Sequence, residues 1–298
     1  MIKAYPKIFA LGTRNVKDIF DTPVQVTEKV DGSQFVFGKG MDGELYVRSK
    51  GADIYIENPQ KMFQQGVDHV VSIADRLRED RIYYCEYLQK PKHNTLTYDA
   101  VPKNHLCLFG IANTHRDEFW FDRASLEVQA EFLGIDAVPI IYEGMTNGEE
   151  IIAMVKDTES YLGGTNIEGA VVKANKQILV ADQLYPVQTG KYVTDEFKEV
   201  HQGSWKKENT GKGKWDTYKD LFCTEARWNK AIQHLKEVGQ LEDDPRDIGK
   251  LIKEIQVDIV KEEEESIKAY LWKTFSSELL RNATRGFPEF YKQKLILE

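Results

Sequence analysis

A lysine set between a run of β-forming residues and a small acidic turn, as in Val24-Gln25-Val26-Thr27-Glu28-Lys29-Val30-Asp31-Gly32-Ser33, is poorly placed for packing and well placed for nucleophilic chemistry. An amine at a strand end, partly desolvated and close to other cations, loses its proton readily and attacks an electrophilic phosphorus or carbonyl. Moving its pKa from about 10.4 to about 7–8 takes about 4 kcal/mol of differential interaction, so supporting residues are required. Five further clusters follow in order: Arg48-Ser49-Lys50-Gly51, Tyr84-Cys85-Glu86-Tyr87, Leu108-Phe109-Gly110, Glu168-Gly169-Ala170-Val171-Val172-Lys173, and Gly190-Lys191. Charged residues embedded in or bracketing apolar runs are expensive unless they have partners. The common nucleotide and nucleophile signatures are missing from the sequence: no Gly-x-Gly-x-x-Gly follows a strand, and there is no Walker-type loop, kinase Asp-Phe-Gly or Gly-x-Ser-x-Gly elbow.

These clusters need a scaffold, and the patterning supplies one. Ser33–Phe37 and Glu44–Arg48 alternate as strands around a glycine-rich hairpin. Apolar residues every three or four positions predict a helix from Pro59 to Asp80. Arg81–Leu88, His105–Ala112, Val138–Tyr142, Ile167–Lys173 and Tyr185–Val193 read as strands; Arg123–Gly134 and Gly148–Lys156 read as helices. Beyond about Ser204 the pattern becomes helical, over Glu225–Val238, Asp244–Lys261 and Glu262–Thr284, with a last short helix from Pro288. The expected architecture is mixed α/β (α+β), with largely antiparallel strands in a domain over 1–204 and a small all-helical domain over 205–298.

With 298 residues, 41% hydrophobic and 30% charged, the chain has ample core for one large or two smaller domains. Its N-terminus lacks a signal-peptide stretch and no apolar run reaches membrane-span length, so no membrane partner and a cytoplasmic location are expected. The three cysteines, Cys85, Cys107 and Cys223, are too scattered for a disulfide framework or zinc site. A net charge of −8 does not advertise nucleic-acid binding, but charge distribution matters more than its sum. From Lys191 to Lys219, lysines mix with Trp205, Trp215 and Tyr218, a composition suited to phosphate contact and base stacking.

The ordered clusters resemble, motif by motif, the covalent nucleotidyltransferases: ATP-dependent DNA ligases, RNA ligases and mRNA capping enzymes. The resemblance covers the chain to about Val200 and is nearest to the nick-joining RNA ligases of phages and kinetoplastid editing. It implies that Lys29 attacks the α-phosphate of ATP to form lysyl–AMP, with Lys173 and Lys191 holding the phosphate. It further implies that Asp31 and Glu168 hold water of a magnesium or manganese ion, that Arg48 contacts the sugar or an RNA 5′-phosphate, and that Glu86 binds the ribose. Phe109 would stack on adenine, with Glu28 contributing to the adenine site. The same resemblance implies a monomeric enzyme of RNA repair acting on 5′-phosphate and 3′-hydroxyl RNA ends, nicked duplex among them. A helical C-terminal third favours RNA ligase over DNA ligases and capping guanylyltransferases, which usually append an OB barrel. An inactive, nucleotide-responsive RNA-binding protein is a further alternative. One position departs from the pattern: the usual Lys-x-Lys reads Thr189-Gly190-Lys191 here. Strand period two puts Thr189 on the face of Lys191, where a relative's lysine would reach the phosphate.

Overall fold

A computed structural model describes residues 2–113, 118–180, 183–194 and 214–297. It is a mixed α+β structure built on two main sheets. The first has five strands in the order β1 (Phe9–Ala10), β14 (Gln188–Val193), β11 (Gly169–Ala174), β2 (Val24–Glu28) and β10 (Ile140–Gly144). All its pairings are antiparallel except β1 with β14. The second runs β5 (Asp53–Ile54), β4 (Leu45–Ser49), β3 (Ser33–Lys39), β6 (Arg81–Tyr87), β7 (Leu106–Asn113) and β8 (Phe119–Trp120), with β9 (Asp136–Ala137) parallel to β7. β12 (Ile178–Val180) and β13 (Gln183–Tyr185) pair antiparallel as a separate two-stranded sheet.

Each sheet has its own apolar cluster. Phe35, Phe37, Tyr83, Tyr87 and Leu108 of the second sheet pack with Phe63, Val67 and Val70 at α1 (Gln64–Ser72) and with Leu126, Ala130 and Leu133 of α2 (Arg123–Leu133). Val24, Val26, Ala170 and Val172 of the first sheet pack with Ile151 and Val155 of α3 (Gly148–Lys156). Asp122 and Asn147 accept backbone N–H bonds as N-caps of α2 and α3, which offsets the unpaired donors of a first turn.

Three elements differ from the sequence pattern. The helix expected over Pro59–Asp80 holds α-geometry only in α1, with 3₁₀ turns on either side; Gly66 and the β-branched Val67, Val70 and Val71 lower helix propensity within it. The strand expected over Tyr185–Val193 is divided between β13 and β14, with Pro186 in the gap, where it has no N–H to give the ladder. The two helices expected over Asp244–Lys261 and Glu262–Thr284 are one, because no breaker separates Lys261 from Glu262.

The chain divides into two compact units, Met1–Glu242 and Asp243–Glu298. The boundary expected at 204–205 lies outside the described residues, as does most of the basic-aromatic segment. The first unit ends with α4 (Lys214–Asp220) and α5 (Glu225–Glu237). The second consists of α6 (Ile248–Ala283) and α7 (Phe287–Leu297). An Asp244–Asp247 capping box precedes α6. Among the described residues, no helix is long and apolar enough to cross a membrane.

Candidate active site

Lys29 sits where the chain leaves β2 of the first sheet for β3 of the second, and a cleft opens beside it. Thr27, Glu28, Val171 and Lys173 line the cleft from the first sheet, Gln34, Glu86, Cys107 and Phe109 from the second, and Tyr5 and Ile8 from the N-terminal segment. Its volume of about 100 Å³ falls below that of pockets surrounding whole drug-sized ligands, so it encloses part of a nucleotide at most. Two glycines explain how the strands come so close. A Cβ at Gly32 would stand 2.6 Å from the Tyr87 carbonyl oxygen and 2.8 Å from Glu86 Cγ; a Cβ at Gly169 would collide with the Tyr192 carbonyl oxygen.

Lys29 Nζ donates to Glu168 Oε2 at 2.5 Å. Burial works to lower the lysine's pKa, but the carboxylates of Glu168, Asp31 and Glu86 outweigh it and hold the amine above its ordinary value. This is the reverse of the depressed pKa expected for a nucleophile ringed by cations. Burial raises Glu168 above the usual carboxylate range, against the pull of Lys29 and Lys191. Glu86 is pushed up to about 8 by burial and by the charges of Glu237, Asp31 and Glu168, with Lys29 opposing.

The remaining candidates divide into two groups. Glu28 is buried, accepting from Ser160 Oγ at 2.5 Å and from the Tyr161 N–H at 3.2 Å. Burial pushes its pKa up against those bonds. Lys173, 1% exposed, donates to the Phe109 carbonyl at 2.5 Å with its Nζ 5.5 Å from the Phe109 ring centre. Burial draws its pKa down from 10.5 to about 7. Phe109 itself meets the edge of Tyr5, ring centres 5.0 Å apart. Lys29, Glu28, Glu86, Phe109, Lys173 and Glu168 are thus gathered at one place, and Lys191 is near enough for its charge to act on Glu168.

Asp31 and Arg48 are engaged elsewhere. The Asp31 carboxylate accepts from the Thr95 and Leu96 N–H groups, both at 2.8 Å, and from Asn94 Nδ2 at 3.4 Å, anchoring the loop before Tyr98. Arg48 donates to the Ile2 carbonyl at 3.1 Å and the Ser49 carbonyl at 3.3 Å. Thr189 is 1% exposed, opposite Lys173 in the β11–β14 register, with its hydroxyl 3.5 Å from that of Tyr5. Tyr5 therefore occupies the space into which a lysine at 189 would extend.

Among the described residues, no cluster of three or more histidine, cysteine or carboxylate side chains could hold a metal. Asp31 and Glu168 lie close enough for the charge of Asp31 to raise Glu168. Two carboxylates suit a magnesium-type ion that takes its other ligands from phosphate and water.

Sequence reasoning missed Tyr5, Thr27 and Gln34, which carry no motif. It also missed Ser160, whose hydroxyl meets Glu28 only through tertiary folding.

A profile of a family described as RNA ligase matches residues 22–193, more than half of the chain, and spans every cluster from Lys29 to Lys191. No curated protein matches at a comparable level. Among solved structures, a mutant Naegleria gruberi RNA ligase with ATP and Mn is 16% identical with a TM-score of 0.51, covering 65% of this chain and 56% of that one. An archaeal ATP-dependent RNA ligase is 14% identical with a TM-score of 0.47, covering 90% and 66%. A candidate ATP-dependent DNA ligase from Aquifex aeolicus is 15% identical with a TM-score of 0.46, covering 91% and 68%. At these identities the likeness is one of fold, and the chain spans little more than half the length of the Naegleria protein.

Proposed function

The chain belongs to the RNA ligase family, and we propose that it is an ATP-dependent RNA ligase joining 3′-hydroxyl and 5′-phosphate ends through a lysyl–AMP intermediate. The observation that carries this reading is the position of Lys29, beside a cleft shared by two sheets, paired with Glu168 and accompanied by Lys173, Glu86 and Phe109. Phosphoryl-type transfer is mainly positioning and charge neutralisation, and these groups suit it. The neutral Lys29 amine forms a bond to the α-phosphorus of ATP, the bond to the β-phosphate oxygen breaks, pyrophosphate departs and the amine gives up a proton. A 5′-phosphate oxygen of RNA then displaces Lys29 to give an RNA-adenylate, and the 3′-hydroxyl displaces AMP.

Lys29 begins as the charged partner of Glu168, so the reaction requires that ion pair to loosen. Asp31 and Glu168 would be the residues to hold a magnesium or manganese ion, which would supply positive charge to the phosphates and compete with the amine for Glu168. Phe109 offers a face for adenine, and Glu86, in the same cleft, would hydrogen-bond a ribose hydroxyl. Lys173 and Lys191 supply charge toward the phosphates. RNA repair in the cytoplasm by a monomer is the cellular counterpart of this reading.

Incubation with α-labelled ATP and magnesium, followed by denaturing electrophoresis, should leave label on the chain and none on Lys29→Ala. Label on Lys29→Ala would show that another residue is the nucleophile. A nick with ribonucleotides on the 3′-hydroxyl side should be sealed far faster than an all-DNA nick, because the 2′-hydroxyl and A-form geometry distinguish RNA. Equal rates would favour a DNA ligase.

A further inference from the structure

Every nucleotide contact expected from the sequence lies before residue 200, yet the turn that follows Lys29 is gripped by α5, which comes after it. Gln233 Nε2 donates to the Gly32 carbonyl at 3.0 Å, to Ser33 Oγ at 3.3 Å and to Glu237 Oε1 at 2.8 Å. Glu237 is 4% exposed and also takes a hydrogen bond from the Ser33 side chain. From the other side, Asn94 Nδ2 donates to the same Gly32 carbonyl at 2.8 Å. His93 completes the enclosure: its Nδ1 accepts from the Gln89 N–H at 3.0 Å, leaving Nε2–H to donate to Ser33 Oγ at 2.9 Å. Both acceptor sites of the Gly32 carbonyl are thereby filled, one from a loop and one from the helix.

Helix stability does not account for this arrangement. An i,i+4 amide–carboxylate pair contributes about 0.2–0.5 kcal/mol on an exposed helix, whereas a buried carboxylate is costly unless its bonds are needed. The helix is also seated without an intervening side chain: a Cβ at Gly51 would stand 2.7 Å from His234 Nε2. That gives Gly51 of the second cluster a packing reason that a phosphate contact does not.

We propose that Gln233 and Glu237 are positioning residues for the nucleophile, holding the Gly32–Ser33 turn so that Lys29 is presented to the cleft at a reactive angle. The inference rests on the ligase reading. It assigns part of the first chemical step to a helix that the cluster order places outside the nucleotide domain.

The test is the double variant Gln233→Glu, Glu237→Gln, which keeps the net charge and the hydrogen-bonded pair along α5 but removes the amide donor to Gly32. Single-turnover labelling from α-labelled ATP should slow about ten-fold or more at saturating ATP, in line with loss of a buried donor and of alignment. The ATP concentration for half-maximal rate should stay unchanged, while the thermal midpoint falls by only a few degrees, as expected when one buried donor is lost. Hydrogen exchange at residues 30–34 should quicken while the rest of β3 keeps its protection, a readout that needs no chemistry. Gln233→Ala should slow labelling in the same way; if it proves poorly folded, the double variant carries the test. A labelling rate equal to the unsubstituted chain, a loss expressed only as weaker ATP binding, or unaltered exchange at 30–34 would overturn the proposal. Absence of label on the unsubstituted chain would instead defeat the ligase reading, leaving the exchange result to decide whether α5 holds the turn.

Discussion

Replacing Lys173 by methionine should stabilise the protein and abolish its reaction with ATP, so that the two properties move in opposite directions. The side chain is 1% exposed, and burial draws its pKa from 10.5 to about 7. The unfolded chain keeps an ordinary lysine, which binds more protons than the folded one from about pH 7 to about 10.4. Stability therefore rises with pH across that window. At pH 7 a gap of about 3.5 in pKa, at about 1.4 kcal/mol each, sets an upper limit of about 5 kcal/mol by which this amine opposes folding. Methionine fills a similar volume but forfeits the bond to the Phe109 carbonyl and the contacts with the Phe109 and Phe121 rings, roughly 3 kcal/mol together. The net gain is about 2 kcal/mol, or roughly 4–8 °C in thermal midpoint for a unit of this size. Circular dichroism melts at pH 7 and pH 9 check it: the midpoint of the unsubstituted protein should climb between the two, and that of Lys173→Met much less. Label incorporation should fall at least a hundred-fold, as expected on deleting a preorganised donor. A lower midpoint with labelling retained, or the same pH slope in both proteins, would refute the reasoning.

Thr189→Lys, the change that restores the usual Lys-x-Lys, should be costly: it sets a second amine opposite Lys173 in a dry place already filled by Tyr5, at about 3–5 kcal/mol. A drop in denaturant midpoint with little soluble protein is expected, and a normal midpoint would mean that Tyr5 swings aside. Gly32→Ala, with its Cβ 2.6 Å from the Tyr87 carbonyl oxygen, should cost about 1–3 kcal/mol by overpacking and should slow labelling in proportion to the shift of the turn. His93 should confer acid sensitivity, because burial pulls its pKa from 6.5 down to about 4. The unfolded state then binds more protons between those values, so stability falls by about 2–3 kcal/mol as pH drops through that window. His93→Gln should flatten the urea-midpoint profile from pH 6.5 to 4, and an unchanged profile would assign the sensitivity to other groups.

The motif residues were legible in the sequence where strand pattern and chemistry coincide. Lys29 ends a strand, Glu86 and Phe109 lie within apolar runs, and Lys173 ends another; all four line one cleft. What the pattern could not supply was direction. Arg48 and Asp31 are as conspicuous as Lys29, yet their hydrogen bonds go to Ile2 and to the loop at Asn94–Leu96. The charge state of Lys29 was also out of reach, because it depends on Glu168 and Glu86, brought in by two other segments, as well as on Asp31 beside it. Gln233 and Glu237 gave no signal, since polar residues four apart on a helix read as a solvated face until the turn they hold is known. Breakers located the ends of elements well at Pro186 and poorly around α1, where no single residue stops the helix.

The pairing of Lys29 with Glu168 also bears on synthesis of the chain. The two residues are 139 positions apart, and β2, which ends beside Lys29, has β10 and β11 as its sheet neighbours. An emerging polypeptide exposes Lys29 early, but neither neighbour of its strand exists until residue 140 and beyond has been made. Contacts of such separation form late, after the loop entropy between them has been overcome. If Lys29 is the nucleophile proposed above, it thus stays on a strand without neighbours until the strand bearing Lys173 has left the ribosome. On the ligase reading, a translation product ending before residue 168 would be inert toward ATP, because it holds the amine without Glu168 and Lys173.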